Sequence, residues 1–265
     1  MTIEVDAGYL SRMAEVGALR MLDGSPVVAG AVVEPVTGES YCLVEYCDDR
    51  LLVEPRRRQE LLRHLAVEFP DAARAVVRAS AGTDLPPPWA PHLTYVRHRG
   101  VGADEGATVE VRAAEPADDH LIEDWLARAL IAAAPRSVDP ARPVEVAAGI
   151  LAAPDRRSYV TLADDRPVGH VTLLLDALDD VTGRPFVELL DILVEPRFAG
   201  RAVTDALVAA SATEAAALGR PLLGHVVHGP DQAHGDRVVC SLIGKGWVTD
   251  HRFHTVALER ATDGR

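Results

Sequence analysis

Apolar and polar residues alternate with recognisable periods along most of the chain, most clearly after residue 107. A period of two predicts strands over residues 108–113, 159–162, 168–175, 186–194, 222–227 and 253–258. Apolar stripes with helical spacing predict helices that open at Pro116, span residues 202–218 and span residues 236–243. Strands and helices in this order predict an α/β (α+β layered) fold, in which a mixed central sheet carries helices on both faces.

The first hundred residues carry weaker signals, which predict a smaller α/β region. The pattern predicts helices over residues 9–22 and 56–69, and strands over residues 27–33, 41–46 and 93–96. A proline-rich stretch, followed by three glycines between residues 99 and 106, indicates a linker. We therefore divide the chain into an accessory region of residues 1–100, a linker of residues 101–106 and a main domain of residues 107–265.

Composition and charge exclude several classes of protein. The 265 residues are 48% hydrophobic and 25% charged, which is the balance of a globular chain, and no apolar run is long enough to span a membrane. The N-terminus lacks the basic and apolar regions of a signal peptide, so we expect a cytoplasmic location. The net charge of −13 makes nucleic acid and anionic membranes unfavourable partners.

Cysteine and histidine give no sign of a disulfide framework or of a metal site. The three cysteines form no CxxC pair, and their odd number does not fit a set of disulfides. His225, His228 and His234 lie close together in sequence, but no cysteine or carboxylate accompanies them at the spacing of a zinc site. We expect no metal there. Each histidine is either a packed residue or a functional one, which serves as an acid or binds the acceptor.

The stretch that points most directly to chemistry joins a buried strand to an amphipathic helix at residues 194–203. Gly200 and Ala202 are small enough to let backbone amides approach a ligand. Amides at a helix N-terminus favour an anion such as pyrophosphate. Arg197 and Arg201 add positive charge to a region that is otherwise acidic. Taken alone, the stretch fits an ordinary strand-to-helix turn equally well.

Five features in the same order resemble the GCN5-related N-acetyltransferase superfamily over residues 107–258. The string Arg-Phe-Ala-Gly-Arg-Ala at residues 197–202 fits that family's phosphate loop, which reads Arg or Gln, two residues, Gly, one residue, and Gly or Ala. The Leu-Val-Glu-Pro string before it is similar to the strand that leads into the loop. Residues 111–118 resemble the first strand and helix start, the hairpin with Gly169 resembles the second and third strands, and Gly246-Trp247 resembles the terminal Gly-Phe.

The resemblance implies transfer of an acyl group from acetyl-CoA, or a related acyl-CoA, to a primary amine of a small molecule by direct attack. It places the pantetheine arm along the backbone of Ile192, Leu193 and Val194, with an N–H near Val194 polarising the thioester carbonyl. The phosphate-binding residues that it implies are Arg197, Phe198, Ala199, Gly200, Arg201, Ala202 and Val203.

A general base must take a proton from the ammonium group of the acceptor. Glu188 is the first candidate, because the family often carries a glutamate on this strand and burial would raise its pKa. Asp191 is the second candidate, and strand alternation predicts that it lies on the opposite face of the sheet. The alternative, that either one is an exposed strand carboxylate, stays open.

The sequence departs from the family where the acid for the thiolate is usually found. Leu242 stands at the position of the family's tyrosine, which leaves the neighbouring Ser241 as a candidate donor. Ala199 replaces a common arginine, and Thr204 replaces a third glycine. A catalytically impaired binding or regulatory module is therefore a competing interpretation. A further one is an acyltransferase that acts on a protein or carrier-bound substrate docked by the basic helix of residues 56–63.

An acidic stretch before the predicted catalytic strand bears on the acceptor. Asp176, Asp179 and Asp180 would attract a cationic acceptor such as an amino sugar or a polyamine. Acidic surfaces also simply keep proteins soluble, so the stretch favours this class of acceptor only weakly.

Two short patterns occur once in each part of the chain. Leu-Val-Glu-Pro-Arg is found at residues 52–56 and again at residues 193–197, and Trp89 with Tyr95 has the spacing of Trp247 with Phe253. The first region is thus either a shortened copy of the second or a coincidence of short strings. We expect it to shape the acceptor site or a subunit interface, as in a homodimer, and not to carry chemistry.

Overall fold

A computed structural model describes residues 3–100, 109–134, 138–199, 201–229 and 232–259 of the chain. The helices are α1 (Tyr9–Glu15), α2 (Asp49–Val53), α3 (Pro55–Glu68), α4 (Asp119–Ala133), α5 (Ala141–Leu151), α6 (Arg201–Ala217) and α7 (Gln232–Gly244). The strands are β1 (Leu19–Leu22), β2 (Ser25–Val33), β3 (Ser40–Cys47), β4 (Arg74–Ser80), β5 (Ala90–His98), β6 (Val111–Ala113), β7 (Arg156–Ala163), β8 (Arg166–Asp179), β9 (Arg184–Val194), β10 (Leu222–Val227) and β11 (Trp247–Ala257). Short 3₁₀ turns precede α4 and α6 at Pro116–Asp118 and Pro196–Phe198.

The eleven strands of the described residues belong to one mixed sheet, in the order β1-β2-β3-β4-β11-β5-β10-β9-β8-β7-β6. The pairs β3–β4 and β9–β10 are parallel, and the other pairs are antiparallel. Helices α3, α6 and α7 pack on one face of the sheet, and α1, α4 and α5 pack on the other. The predicted fold class is therefore confirmed.

Two successive parts of the chain build this sheet with the same topology and then exchange their last strands. The first part runs β2-β3-α3-β4-β5 and the second runs β8-β9-α6-β10-β11. Strand β5 lies beside β10, and β11 lies beside β4. The register between β5 and β11 is symmetric, because His251 faces Tyr95 while Phe253 faces Leu93. A topological two-fold relation thus connects the two parts, and Tyr95 and Phe253 lie on the equivalent strands β5 and β11. The two Leu-Val-Glu-Pro-Arg strings differ in structure, because the first begins in helix α2 and the second at the end of strand β9.

The exchange ties the two parts of the chain into one unit. Residues 101–106, expected to form a linker, lie outside the described residues, but the chain on either side of them contributes to the same sheet. A buried ion pair adds to this connection, since Arg78 of β4 donates two hydrogen bonds of 2.7 Å to Asp179 at the end of β8. The two parts are called the first half and the second half below.

The helix predicted over residues 9–22 is wrong in its second part. Helix α1 ends at Glu15 and the chain continues as β1. Gly17 causes this, because its φ of +71° is left-handed, and the N–H of the following Ala18 donates to the Met13 carbonyl. That bond closes a helix C-terminus of the Schellman type. Strand β4 and helices α2 and α5 were not predicted at all.

Candidate functional site

The sheet opens between β9 and β10, which are the parallel pair of the second half. Among the described residues, β9 and β10 pair only over Val187–Leu189 and Leu222–Gly224. Beyond these pairs β9 continues beside β8, and β10 continues beside β5. The facing edges of β9 and β10 are therefore left with backbone groups that a ligand can pair with.

A β-bulge at Leu190 corrects the predicted placement of the two carboxylates. Thr172 of β8 faces Asp191, but the next residue, Leu173, faces Leu189, so Leu190 has no partner on β8. The extra residue shifts the alternation of side chains. Val187 and Leu189 consequently share the core of α6 with Ile192 and Val194. Glu188 and Asp191 therefore lie on the same face, opposite α6, and not on opposite faces.

The backbone at the end of β9 directs one N–H into the opening. Glu195 donates its N–H to the Val168 carbonyl on β8, at 2.9 Å. Successive N–H groups of a strand point to opposite edges, so that of Val194 points away from β8 and toward the opening. Gly169 fixes this arrangement, because a Cβ there would lie 3.0 Å from the Leu193 carbonyl oxygen and 3.1 Å from the Val194 side chain.

The predicted phosphate loop begins with the 3₁₀ turn at the end of β9. The N–H groups of Phe198 and Ala199 donate to the carbonyls of Glu195 and Pro196 within this turn, so the amide of Ala199 is already used. Arg197 is 72% exposed, contacts the Glu195 carboxylate at 3.1 Å and lies over the Phe198 ring. Gly200 lies outside the described residues.

Helix α6 starts directly after the loop, at Arg201. The amides of Arg201, Ala202 and Val203 lie in its first turn, where N–H groups have no acceptor within the helix. Val203 also packs into the core between α6 and the sheet, which fixes the helix against β9. The loop thus presents the positive end of a helix dipole beside the opening.

A cleft of about 240 Å³ runs along α7 on the same face of the sheet as α6. Ser241 lines it with His234, Arg237 and Lys245, and the Lys245 ammonium group contacts Asp205 of α6 at 2.9 Å. Leu242 also lines the cleft and packs against the core with α6. Ser241 is therefore a hydroxyl in this cleft, on the other face of the sheet from Glu188.

Glu188 is the centre of a polar cluster that draws on both halves of the chain. Its side chain is 14% exposed, accepts a hydrogen bond from the Tyr95 hydroxyl at 3.2 Å and lies 3.4 Å from Nδ1 of His225. Tyr95 comes from β5 and stacks on His251, with ring centroids 4.5 Å apart. Burial, and then the charge of Glu188, raise the pKa of Tyr95, which keeps the phenol protonated as a donor.

Asp191 has a different environment. One of its carboxylate oxygens lies 3.1 Å from Nε2 of His170, which is fully buried and stacks on Trp125 of α4. The other ring nitrogen of His170 bonds Thr172 at 3.2 Å. These contacts anchor β8 and β9 under α4. Asp191 thus contacts a buried imidazole beneath α4, whereas Glu188 contacts the Tyr95 hydroxyl and His225.

Comparison with known proteins decides which fold this is. No family model and no curated protein matches the chain. Among solved structures, an acetyltransferase from the GNAT family from Colwellia psychrerythraea is 12% identical, covers 98% of this chain and 99% of its own, and has a TM-score of 0.53. The chain has the fold of the GCN5-related N-acetyltransferases (GNAT). A functionally unknown conserved protein from Staphylococcus epidermidis is also 12% identical, covering 86% of this chain and 87% of its own at a TM-score of 0.50.

Within the GNAT fold of this chain, the acidic stretch expected to attract a cation is mostly paired. Asp176 contacts Arg220, and Asp179 is held by Arg78. Only Asp180 is exposed without an ion pair to any described residue. The stretch therefore attracts a cationic acceptor less strongly than its sequence indicates.

The three histidines proposed as acids or ligands lie in different places. His225 is beside Glu188, and His234 lines the cleft along α7. His228 is buried, with Nε2 bonded to Thr94 at 2.9 Å and a pKa lowered by burial. In the described part of the chain, no three His, Cys, Asp or Glu side chains come together as a metal would need. Nor does any described helix have the length and apolar character needed to cross a membrane.

Sequence reasoning missed Tyr95 as a member of the site. The sequence feature that singles out Tyr95 is its spacing from Trp89, which matches that of Phe253 from Trp247. That repeat was the one available signal, since it implied that β5 and β11 are equivalent strands. Neither local periodicity nor the resemblance over residues 107–258 could place β5 beside β10.

Proposed function

We propose that the protein transfers an acetyl or related acyl group from acyl-CoA to a primary amine of a small molecule. The observation that supports this most is the opening between β9 and β10, which receives the N–H of Val194 and ends at the N-terminus of α6. An opening with an inward N–H suits a thioester carbonyl, and a helix N-terminus suits a pyrophosphate.

The donor would lie along the opening with its phosphates at the loop. Ile192, Leu193 and Val194 supply the strand edge for the pantetheine arm. The amides of Gly200, Arg201, Ala202 and Val203 bind the pyrophosphate, while the Ala199 amide is held in the 3₁₀ turn. Arg197 and Phe198 flank the phosphates from the exposed side of the loop.

Glu188 is the proposed base. Glu188 lies six residues before Val194 on β9, so its carboxylate takes a proton from the acceptor ammonium through intervening water. The free amine attacks the thioester carbon, and a C–N bond forms as the C–S bond breaks. The N–H of Val194 holds the developing oxyanion. The thiolate takes a proton from Ser241 or from water, since Ser241 is the hydroxyl that lines the cleft along α7. The attacking nitrogen loses its second proton as the C–S bond breaks, and that proton restores the donor. The products are then the amide, the free thiol and the proton held by Glu188.

Titration calorimetry with acetyl-CoA and with free CoA tests the donor site. We expect micromolar binding by the wild type and none by Gly200→Glu, because a carboxylate at the loop repels the phosphates. Gln59→Glu is the matched control, as Gln59 follows the other Leu-Val-Glu-Pro-Arg string at the same distance and is exposed. Absence of binding by the wild type to any acyl-CoA would overturn the proposal.

Amine-dependent thiol release tests the base. Glu188→Gln should lower turnover more than about tenfold and leave CoA affinity unchanged, because an amide cannot accept the proton. Glu60→Gln on α3 is a control on the opposite face of the sheet, and it should behave as wild type. If Asp191→Asn loses turnover while Glu188→Gln keeps it, the base is Asp191.

A second candidate function is a CoA-binding module without catalysis. The position of Leu242 favours it, because the leucine packs into the core where the family's acid would stand. Binding of CoA by the wild type, with no thiol release above the background for any amine, would be the result that selects this function.

A further inference from the structure

A second cavity lies on the face of the sheet opposite α6 and α7, where both halves of the chain meet. It has a volume of about 170 Å³ and is lined by Glu45, Arg78, Tyr95, Phe186, His251 and Phe253, together with residues of the β8–β9 turn. Phe186 stands two residues before Glu188 on β9, so the two side chains share a face. The cavity therefore adjoins Glu188 and is distinct from the cleft along α7.

The floor of the cavity is the ion pair of Arg78 with Asp179, in which one N–H of the guanidinium group has no acceptor among the described residues. Arg78 and Asp179 have side chains that are only 7% and 14% exposed. Burial alone would raise the pKa of Asp179, but the hydrogen bonds and charge of Arg78 outweigh it and lower the pKa to about 2. The pair is thus neutral overall at physiological pH. Nε of Arg78 is buried and makes no hydrogen bond to any described residue.

The walls of the cavity are aromatic. Tyr95 stacks on His251, and Phe253 meets both rings edge-on, with centroid distances of 6.2 Å and 5.4 Å. Phe186 adds a fourth ring to the lining. Burial lowers the pKa of His251, so the imidazole remains uncharged at neutral pH. Aromatic faces without competing positive charge favour an organic cation.

Two further carboxylates at the cavity are not neutralised. Glu45 accepts one hydrogen bond, from the buried Tyr9 hydroxyl at 2.9 Å, and forms no ion pair with a described residue. Asp180 is exposed at the rim and has no such pair either. With Arg78 and Asp179 cancelling one another, the cavity has a net negative charge and an apolar wall.

We propose that this cavity binds the body of the acceptor, and that the acceptor is a compact organic ammonium with an aromatic or bulky aliphatic group. A cavity of about 150 Å³ is known to hold a benzene ring, so this one accommodates a ring with a short chain. The acceptor role rests on the proposed acyl transfer, whereas the binding itself does not. The Tyr95 ring lines the cavity while its hydroxyl bonds Glu188, which connects the bound amine to the base.

The test is titration calorimetry with 2-phenylethylamine and no acyl donor present. We expect saturable binding, at least about tenfold weaker binding of the uncharged 2-phenylethanol, and a similar loss for spermidine, which has charge but no ring. Glu45→Gln and Phe253→Leu should each weaken 2-phenylethylamine binding by about fivefold to tenfold. Glu60→Gln is the matched control and should bind as wild type. Thermal unfolding of each variant shows that it is folded.

Three results would overturn the inference: no saturable binding of 2-phenylethylamine at millimolar concentration, equal binding of 2-phenylethanol, or binding unchanged in both cavity variants. Titration of acetyl-CoA into the same preparations separates the two proposals. Amine binding without CoA binding would keep the cavity and refute acyl transfer. CoA binding without amine binding would refute the cavity proposal and leave the proposed acyl transfer standing.

Discussion

The two halves of the sheet have the same topology but different openings between their parallel strands. In the first half, β3 and β4 pair over Cys42–Val44 and Ala75–Val77, as β9 and β10 do over three residues in the second. In both halves a helix then crosses the same face of the sheet. The difference lies in the few residues between strand and helix.

In the first half two of those residues are buried in the core. Helix α2 follows β3, with Leu51 and Leu52 fully buried against the sheet, and the Trp89 indole donates to the Leu52 carbonyl at 3.2 Å. Helix α3 then begins at Pro55, with Glu54 paired to Arg57. In the second half the link is a 3₁₀ turn with no buried residue, followed by Gly200. One topology therefore gives a core in one half and a candidate ligand site in the other.

Separating the halves would change the molecule most. A chain of residues 109–265 should not unfold cooperatively on its own, because it lacks β5 and leaves β10 and β11 without the strand between them. Co-expression with residues 1–100 should restore a folded complex in which both segments purify together. Circular dichroism during thermal unfolding measures this. Cooperative unfolding of residues 109–265 alone, with CoA binding retained, would show that the halves are independent.

The ion pair between the halves should have the next largest effect. Arg78→Met leaves the buried Asp179 without its partner, and we expect a loss of about 3–5 kcal/mol in the free energy of unfolding in urea. Arg184→Met removes a cation that is 67% exposed and pairs with Glu4, so it should cost less than about 1 kcal/mol. Equal effects of the two substitutions would mean that the exchanged strands, and not this pair, hold the halves together.

Acid should weaken the molecule at the exchanged strands, with the smallest effect of the three. Burial, reinforced by the charge of a nearby arginine, lowers the pKa of His92 on β5 and of His254 on β11 to about 4. Below pH 6.5 the two histidines bind protons in the unfolded chain, but in the folded chain they do so only near pH 4. The free energy of unfolding therefore falls as the pH decreases through this window. Asp179 acts only at lower pH, since its stabilising charge is lost as the pH falls toward 2.

Melting temperatures between pH 7 and pH 4 check this expectation. His254→Gln should flatten the decline by a few degrees, and His120→Gln, at an exposed position on α4, should leave it unchanged. A decline of the same size in His254→Gln would mean that other groups dominate the acid response.

Much of the second half followed from sequence because its signals are local. The strands and helices around the phosphate loop were predicted with bounds close to those observed, since alternation and helical periodicity reflect one face packed on a core. The elements of the first half were harder to predict from the sequence. Strand β4 has buried residues on both faces, which removes the alternating pattern, and the helical spacing of residues 9–22 concealed the turn at Gly17.

The candidate site was only partly accessible from sequence. Glu188 and the loop of residues 195–203 came from local strings and from the family resemblance. The shared face of Glu188 and Asp191 could not be predicted, because it depends on a bulge set by the pairing of β9 with β8. Tyr95 could not be placed either, as 93 residues separate it from Glu188.

The sequence alone determined the element types around the phosphate loop, the small residues at the start of α6 and the matched spacing of Trp89–Tyr95 and Trp247–Phe253. The tertiary structure alone decided which strands are neighbours, which strand-to-helix residues are buried and which side chains surround Glu188. The physical reason is that periodicity records only whether a residue is buried. Strand exchange, bulges and cavities depend on pairing between segments far apart in the chain, and that pairing leaves no local pattern.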